Sequence, residues 1–228
     1  MNKNAKKVAI AIDGPAGAGK STISKEIARV LEFLYLDTGA MYRAVALKAH
    51  KENIDTLDRD GVSRMIQDID LKIAYLDNAP KIILDGEDVT SFIKSPEVSI
   101  GASNVAVLPT VRLKMVEIQR CIASENNIVM DGRDIGTYVL PNAAFKFFLT
   151  ASVKERAKRR FKELDLTNRP NLTLDDVEKD IRYRDENDSK REFAPLVKAE
   201  DAIEIDATNM TIKQVVEKIM GYVTDHVY

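Results

Sequence analysis

Eight residues near the start of the chain, Gly14-Pro15-Ala16-Gly17-Ala18-Gly19-Lys20-Ser21, match the spacing G-x-x-x-x-G-K-[ST]. Their types describe a phosphate cradle. Glycine lets the backbone approach phosphate oxygens with its N–H groups turned inward. A helix N-terminus behind the loop adds positive potential. Lys20 is spaced to reach β- and γ-phosphates, and the Ser21 hydroxyl to ligate Mg²⁺. The motif predicts a bound nucleoside triphosphate and leaves open what receives the phosphate.

Two later runs, Asp37-Thr38-Gly39-Ala40-Met41-Tyr42-Arg43 and Asp131-Gly132-Arg133-Asp134, follow short apolar segments. Either run alone reads equally as a turn, since Asp-Gly and Thr-Gly are common turn pairs. Together they set an arginine at two comparable positions, which suits a second anion facing the phosphate loop. No N-K-x-D guanine reader follows the core strands. Val177, Ile181, Arg184, Asp188 and Arg191 fall at helical spacing on one stripe that starts apolar and turns ionic. A surface Arg–Asp pair would also account for its ionic end. Arg156 and Arg160 share a face of a helix that Ser152 caps, with Glu155 three residues on.

These groups need a frame. Val8 to Ile12 reads as a buried strand, and Ile23, Ile27, Leu31 and Leu34 as the apolar stripe of the helix after it. Phe33 to Leu36, Ile128 to Met130, Phe145 to Leu149 and Ala202 to Ile205 are further strand candidates. Helical stripes lie between or after them, at Val111, Met115, Ile118 and Ile122, and at Ile212, Val215, Val216, Ile219 and Val223. This alternation predicts an α/β fold whose parallel sheet of about five strands is flanked by helices. Ligands of such sheets sit at the carboxyl ends of strands, where Asp37, Asp131 and Asp206 fall. Residues 65–107 interrupt the pattern. Leu71 to Leu76 and Lys81 to Leu84, joined by Asp77-Asn78-Ala79-Pro80, read as an antiparallel hairpin.

The 228 residues suit one globular unit with mobile parts. With 34 basic against 36 acidic residues, the chain is not an overall polyanion binder, which argues against nucleic acid as a partner. Its two histidines have no partner at metal-ligand spacing, against structural zinc. A single cysteine, Cys121, fits the reducing cytoplasm. The apolar run after the basic N-terminus is too short for a membrane span or signal segment.

Four stretches taken together resemble the bacterial cytidylate kinases nearly end to end. They are Ile12 to Thr22, Leu36 to Arg43, Asp131 to Thr137, and Ala194-Pro195-Leu196. Ser21 departs from the Gly that many nucleoside monophosphate kinases carry there, and is the better Mg²⁺ ligand. The resemblance implies a P-loop NTPase core over 1–39, 108–156 and 193–228. It implies an NMP-binding domain with the β insert over 40–107, and a short lid with its adjoining acceptor-binding helix over 157–192. It implies transfer of the γ-phosphoryl of ATP to CMP or dCMP by a cytoplasmic monomer. Another nucleoside monophosphate or a small metabolite is the alternative acceptor.

By that resemblance, Gly14 to Thr22 hold ATP, with Arg156 and Arg160 as lid-base arginines. Tyr42, Arg43 and Arg133 hold the acceptor phosphate, in a pocket that Thr38 also lines. Ser103, Arg112, Asp134 and Arg191 read cytosine, and Arg184 and Asp188 take the sugar. Lys20, Arg133, Arg160 and Arg184 are the expected catalytic cations.

Overall fold

The computed structural model describes residues 7–76, 79–164 and 171–227. Strand β1 (Ala9–Asp13) leads through the glycine-rich loop into α1 (Lys20–Leu31). Glu32 adopts a left-handed conformation at φ 55° and ends that helix. Leu34, expected on its stripe, therefore opens β2 (Leu34–Asp37) instead. Helices α2 (Thr38–Lys51) and α3 (Arg59–Met65) come next. A hairpin of β3 (Leu71–Leu76) and β4 (Ala79–Leu84), edged by β5 (Glu87–Asp88), follows them. Then come α4 (Pro96–Val105), α5 (Pro109–Glu125), β6 (Ile128–Gly132), β7 (Phe145–Thr150), α6 (Val153–Glu163), α7 (Leu174–Lys190), β8 (Ile203–Asp206) and α8 (Ile212–Val227).

The large sheet has the order β2-β6-β1-β7-β8 with every pairing parallel. Helices pack on both faces. Ile10, Ile12, Ile23, Ile27, Val215 and Ile219 form one core with α1 and α8. Ala11, Leu36, Met41, Val45, Val111 and Met115 form the other, which continues into the hairpin through Leu71, Ile82 and Leu84. A third, small cluster of Ala157, Val177 and Ile181 joins α6 to α7.

Two sequence readings change in detail. Ala79 and Pro80 belong to β4 rather than to a turn, pairing with Leu76 and Tyr75. Proline is tolerated there because β5 reaches β4 only at Ile83 and Leu84, so Pro80 lies on an open edge. The expected turn residues Asp77 and Asn78 lie outside the described residues. Ile212 is 53% exposed, and α8 is buried instead through Val215, Val216, Ile219 and Val223.

The register brings acidic groups together. Asp37 of β2 pairs with Asp131 of β6, which also pairs with Ile12 of β1. Beside them, Asp13 accepts from the amides of Ile135 and Gly136 at 2.8 and 2.7 Å. These bonds tie the short π-helical turn Ile135–Val139 to β1 and hold the loop carrying Arg133 and Asp134 over the sheet. Despite those two bonds, burial raises the Asp13 pKa to about 6.

Candidate active site

The phosphate loop is built by close backbone approach. Gly14 has φ +146°, and a Cβ there would come within 1.9 Å of the Leu149 carbonyl oxygen. Gly17 has φ +75° and sits against Arg156. At the end of the loop Gly19 caps α1 without a side-chain acceptor, so the first amides of the helix are left for a ligand. Ala16, Gly17, Gly19, Lys20, Ser21 and Thr22 line a cavity of about 230 Å³. Gly14, Pro15 and Ala18 shape the loop from behind and do not line it. The Pro15 carbonyl accepts from Lys20 Nζ at 2.8 Å, and Ala18 is fully buried.

At the floor of the cavity, Asp131 accepts from Ser21 Oγ at 2.9 Å and from Tyr35 Oη at 2.8 Å. Its backbone carbonyl accepts from Thr38 Oγ1 at 2.8 Å. Burial, and then the charge of Asp37, push the Asp131 carboxyl up to about 6. Burial acts on Asp37 in the same direction, yet Arg43 at 2.9 Å and the Ala40 amide hold its pKa below the ordinary value. Tyr35 and Asp13 are anchors that the sequence reading did not single out. Strand alternation marks Tyr35 only as half of a buried pair of faces, and its acid partner lies 96 residues away.

The opposite wall gathers residues far apart in the chain. Tyr42 and Arg43 come from α2, Ser103 from α4, Arg112 from α5, Arg133 and Asp134 from the loop after β6, and Arg184, Asp188 and Arg191 from α7 and its end. Arg112 donates to Asp134 through Nη2 and lies 5.5 Å over the Tyr42 ring. Arg191 Nη2 is 3.3 Å from the other Asp134 oxygen, and its Nε donates to the Ala194 carbonyl at 2.5 Å. Arg112 Nε and Arg191 Nη2 are nonetheless buried without a well-formed hydrogen bond. Arg133 Nε donates to Asp188 at 2.6 Å. Burial raises the Tyr42 phenol to about 12, which keeps it a hydrogen-bond donor near neutrality.

One expected ligand lies elsewhere. Arg156 is 4% exposed and does not line the cavity. Its Nε and Nη1 donate to the carbonyls of Ala151 and Ala16, and its Nη2 pairs with Asp185 at 2.8 Å. It braces the phosphate loop from beneath, because the first turn of α6 packs directly on that loop. Arg159 lines the cavity with Arg160, and donates to the Ala207 carbonyl at 2.7 Å. Asp206 does end β8, but it caps Thr208 at 2.9 Å and stays out of the cavity. Strand β8 is the far edge of the sheet, whereas the cavity opens over β2, β6 and β1.

The cations crowd one another. Burial, followed by Arg133, pushes the Lys20 ammonium down to about 7. Burial and Arg133 also push Arg184 down to about 10. Charges arranged at such a cost are poised for an anion that would relieve it.

A cytidylate kinase family model matches residues 10–225. The chain is 50% identical to the cytidylate kinase of Caldicellulosiruptor bescii over 215 residues, 94% of this chain and 95% of that one. It is 51% identical to the cytidylate kinase of Clostridioides difficile over 212 residues, 93% and 96% of the two chains. A crystal structure of a protein from Eubacterium ventriosum superposes with TM-score 0.50 at 14% identity, over 97% of this chain and all of that one, a likeness of fold alone. With the family model spanning most of the chain and relatives at about half identity, the chain belongs to the cytidylate kinase family.

Proposed function

We propose that this protein transfers the γ-phosphoryl of ATP to CMP or dCMP, releasing ADP and the nucleoside diphosphate. The observation that carries the reading is the cluster of mutually repelling cations, Lys20, Arg133 and Arg184, between the phosphate loop and a second polar pocket. In-line transfer asks mainly that two phosphates be aligned and their charge neutralised. An acceptor phosphate oxygen forms the new bond to the γ-phosphorus. The bond to the β–γ bridging oxygen breaks, and ADP leaves with that electron pair. The attacking oxygen is already anionic, so no strong general base is required.

In this reading the loop and Lys20 hold the donor, with Arg160 and Arg159 at its rim. Thr38, Tyr42, Arg43 and Arg133 hold the acceptor phosphate, and Arg184 and Asp188 the sugar. Ser103, Arg112, Asp134 and Arg191 meet the edge of cytosine, whose N4 donates and whose N3 and O2 accept. Ser21 and Asp131 fit Mg²⁺: they offer a hydroxyl and a buried carboxylate, hard oxygen donors 2.9 Å apart. Among the described residues no three Asp, Glu, His or Cys side chains are grouped so that they could hold a metal ion by themselves, so phosphates and water would complete the shell. When bound, the ion neutralises phosphate charge. The division into core, NMP-binding domain and lid given above, and a cytoplasmic monomer, belong to the same proposal. No helix among the described residues is long and apolar enough to cross a membrane.

Coupled ADP release with Mg-ATP and CMP, dCMP, UMP, AMP or no acceptor tests the reading. Strong turnover is expected with CMP and dCMP. Preference for another acceptor would replace the base assignment, and acceptor-independent release would overturn the transferase.

Lys20 adds a pH signature. With its pKa near 7, it is largely neutral at about pH 8 in the free protein. A bound triphosphate favours the charged form, so ATP binding is expected to take up more protons near pH 8 than near pH 6. Calorimetry in buffers of different ionisation enthalpy measures that uptake. Equal uptake at both pH values would remove the depressed Lys20 from the account.

A further inference from the structure

Helix α7 offers three faces. Val177 and Ile181 pack on α6, where Asp185 adds its pair with Arg156. Arg184 and Asp188 line the cavity. Tyr183 and Asn187, neighbours at i, i+4, reach α4. Tyr183 Oη donates to Asn104 Oδ1 at 2.7 Å, and Asn187 Nδ2 to Ser103 Oγ at 3.2 Å.

Asn104 continues the chain. It is 9% exposed, and its Nδ2 donates to Thr56 Oγ1 at 2.9 Å, which turns its carbonyl to Tyr183. Thr56 lies in the connection between α2 and α3. On the same side of α4, a Cβ on Gly101 would come within 3.1 Å of both Ala46 and Thr56. Helix α4 is thereby seated on α2, the helix that carries Tyr42 and Arg43. Side chains on α2, α4 and α7, drawn from distant parts of the chain, thus share one continuous set of contacts.

We infer that Tyr183, Asn104 and Thr56 form a strap that positions the acceptor pocket by fastening α7 to α4 and α2. None of the three lines the cavity. The inference rests on the reading of that cavity as the CMP site. The strap acts by holding Arg184 and Asp188 at a set distance from Ser103, Tyr42 and Arg43. A nucleotide that spans these groups then finds them assembled, and does not spend binding energy on drawing the helices together.

Tyr183 is suited to a clean test, because it is 40% exposed and Tyr183→Phe removes only the hydroxyl. The dissociation constant for CMP is measured by calorimetry on the intact chain without ATP. Tyr183→Phe is expected to raise it about fivefold, within the worth of one neutral hydrogen bond. Tyr183→Phe combined with Asn187→Ala, which cuts both contacts, should raise it further. Turnover at saturating CMP, KM for ATP and the melting temperature should stay near wild type. Unchanged CMP binding in both variants, beside a wild type that binds CMP, would overturn the strap alone. A parallel loss of ATP and CMP affinity with a lowered melting temperature would overturn it too, by showing a general structural role. A wild type that does not bind CMP would overturn the acceptor reading and the strap with it.

Discussion

Arg133→Ala is expected to lower turnover with CMP about 10³-fold while leaving ATP affinity within about threefold, the pattern of a lost transition-state donor. Three features of the site argue for that split. The Arg133 backbone is held over the sheet by the amide bonds of Asp13 to the turn that follows it. Its side chain is aimed by Asp188 at 2.6 Å. Its charge lies close enough to Lys20 to be, after burial, the largest cause of the depressed ammonium. In the proposed reading, such a group stands where donor and acceptor phosphates would meet. Removing it relieves the repulsion on Lys20, so the triphosphate loses one partner while another is freed to charge. In the transition state, charge spreads over the transferring oxygens, and the missing guanidinium has no substitute. Arg133→Lys should recover only part of the rate, since an ammonium keeps the charge without the planar fork. Single-turnover rates together with ATP titration measure the split. An equal loss of ATP affinity would move Arg133 from transfer to donor binding.

Arg133 also illustrates how unevenly the site can be read from residue order. The phosphate loop is legible because its chemistry is local: consecutive residues supply the glycines, the lysine and the helix start. The strand ends are legible once the parallel sheet is inferred, since register then sets Asp37 beside Asp131. The α7 stripe is legible because helical period alone puts Arg184 and Asp188 on one side. What stays hidden depends on partners from other elements. Tyr35 and Asp13 become anchors only when β1, β2 and β6 are side by side. Arg156 and Arg159 belong to one basic run, and only the docking of α6 on the loop sends the first beneath it and the second to the cavity. The α7–α4 contacts join residues 79 and 84 positions apart, on helices whose mutual packing no local pattern announces.

The strongest effect on selectivity is expected from Asp134→Asn. Asp134 sits between Arg112 and Arg191, whose side chains are each 1% exposed. Removing its charge leaves those guanidiniums short of their shared anion. Breaking a buried ion pair this way costs about 3–5 kcal/mol. Asp188 lies 3.6 Å from Arg191 Nη1 and its charge also acts on Arg112, but it is already engaged by Arg133 at 2.6 Å. Part of the cost will appear as a lower melting temperature, and part as loss of the acceptor site. The division between acceptors carries the specific claim. A carboxylate accepts from the N4 amino group of cytosine, whereas the 4-oxo group of uracil presents an acceptor and is repelled. An asparagine amide can turn its NH₂ to that oxygen. Efficiency with CMP should therefore fall about 10²–10³-fold, while that with UMP falls much less, since one mismatched polar contact is worth about 1–3 kcal/mol. The ratio of kcat/KM for CMP over UMP isolates this effect, because a general loosening lowers both alike. A ratio unchanged from wild type would show that Asp134 holds the two arginines in place but does not itself read the base.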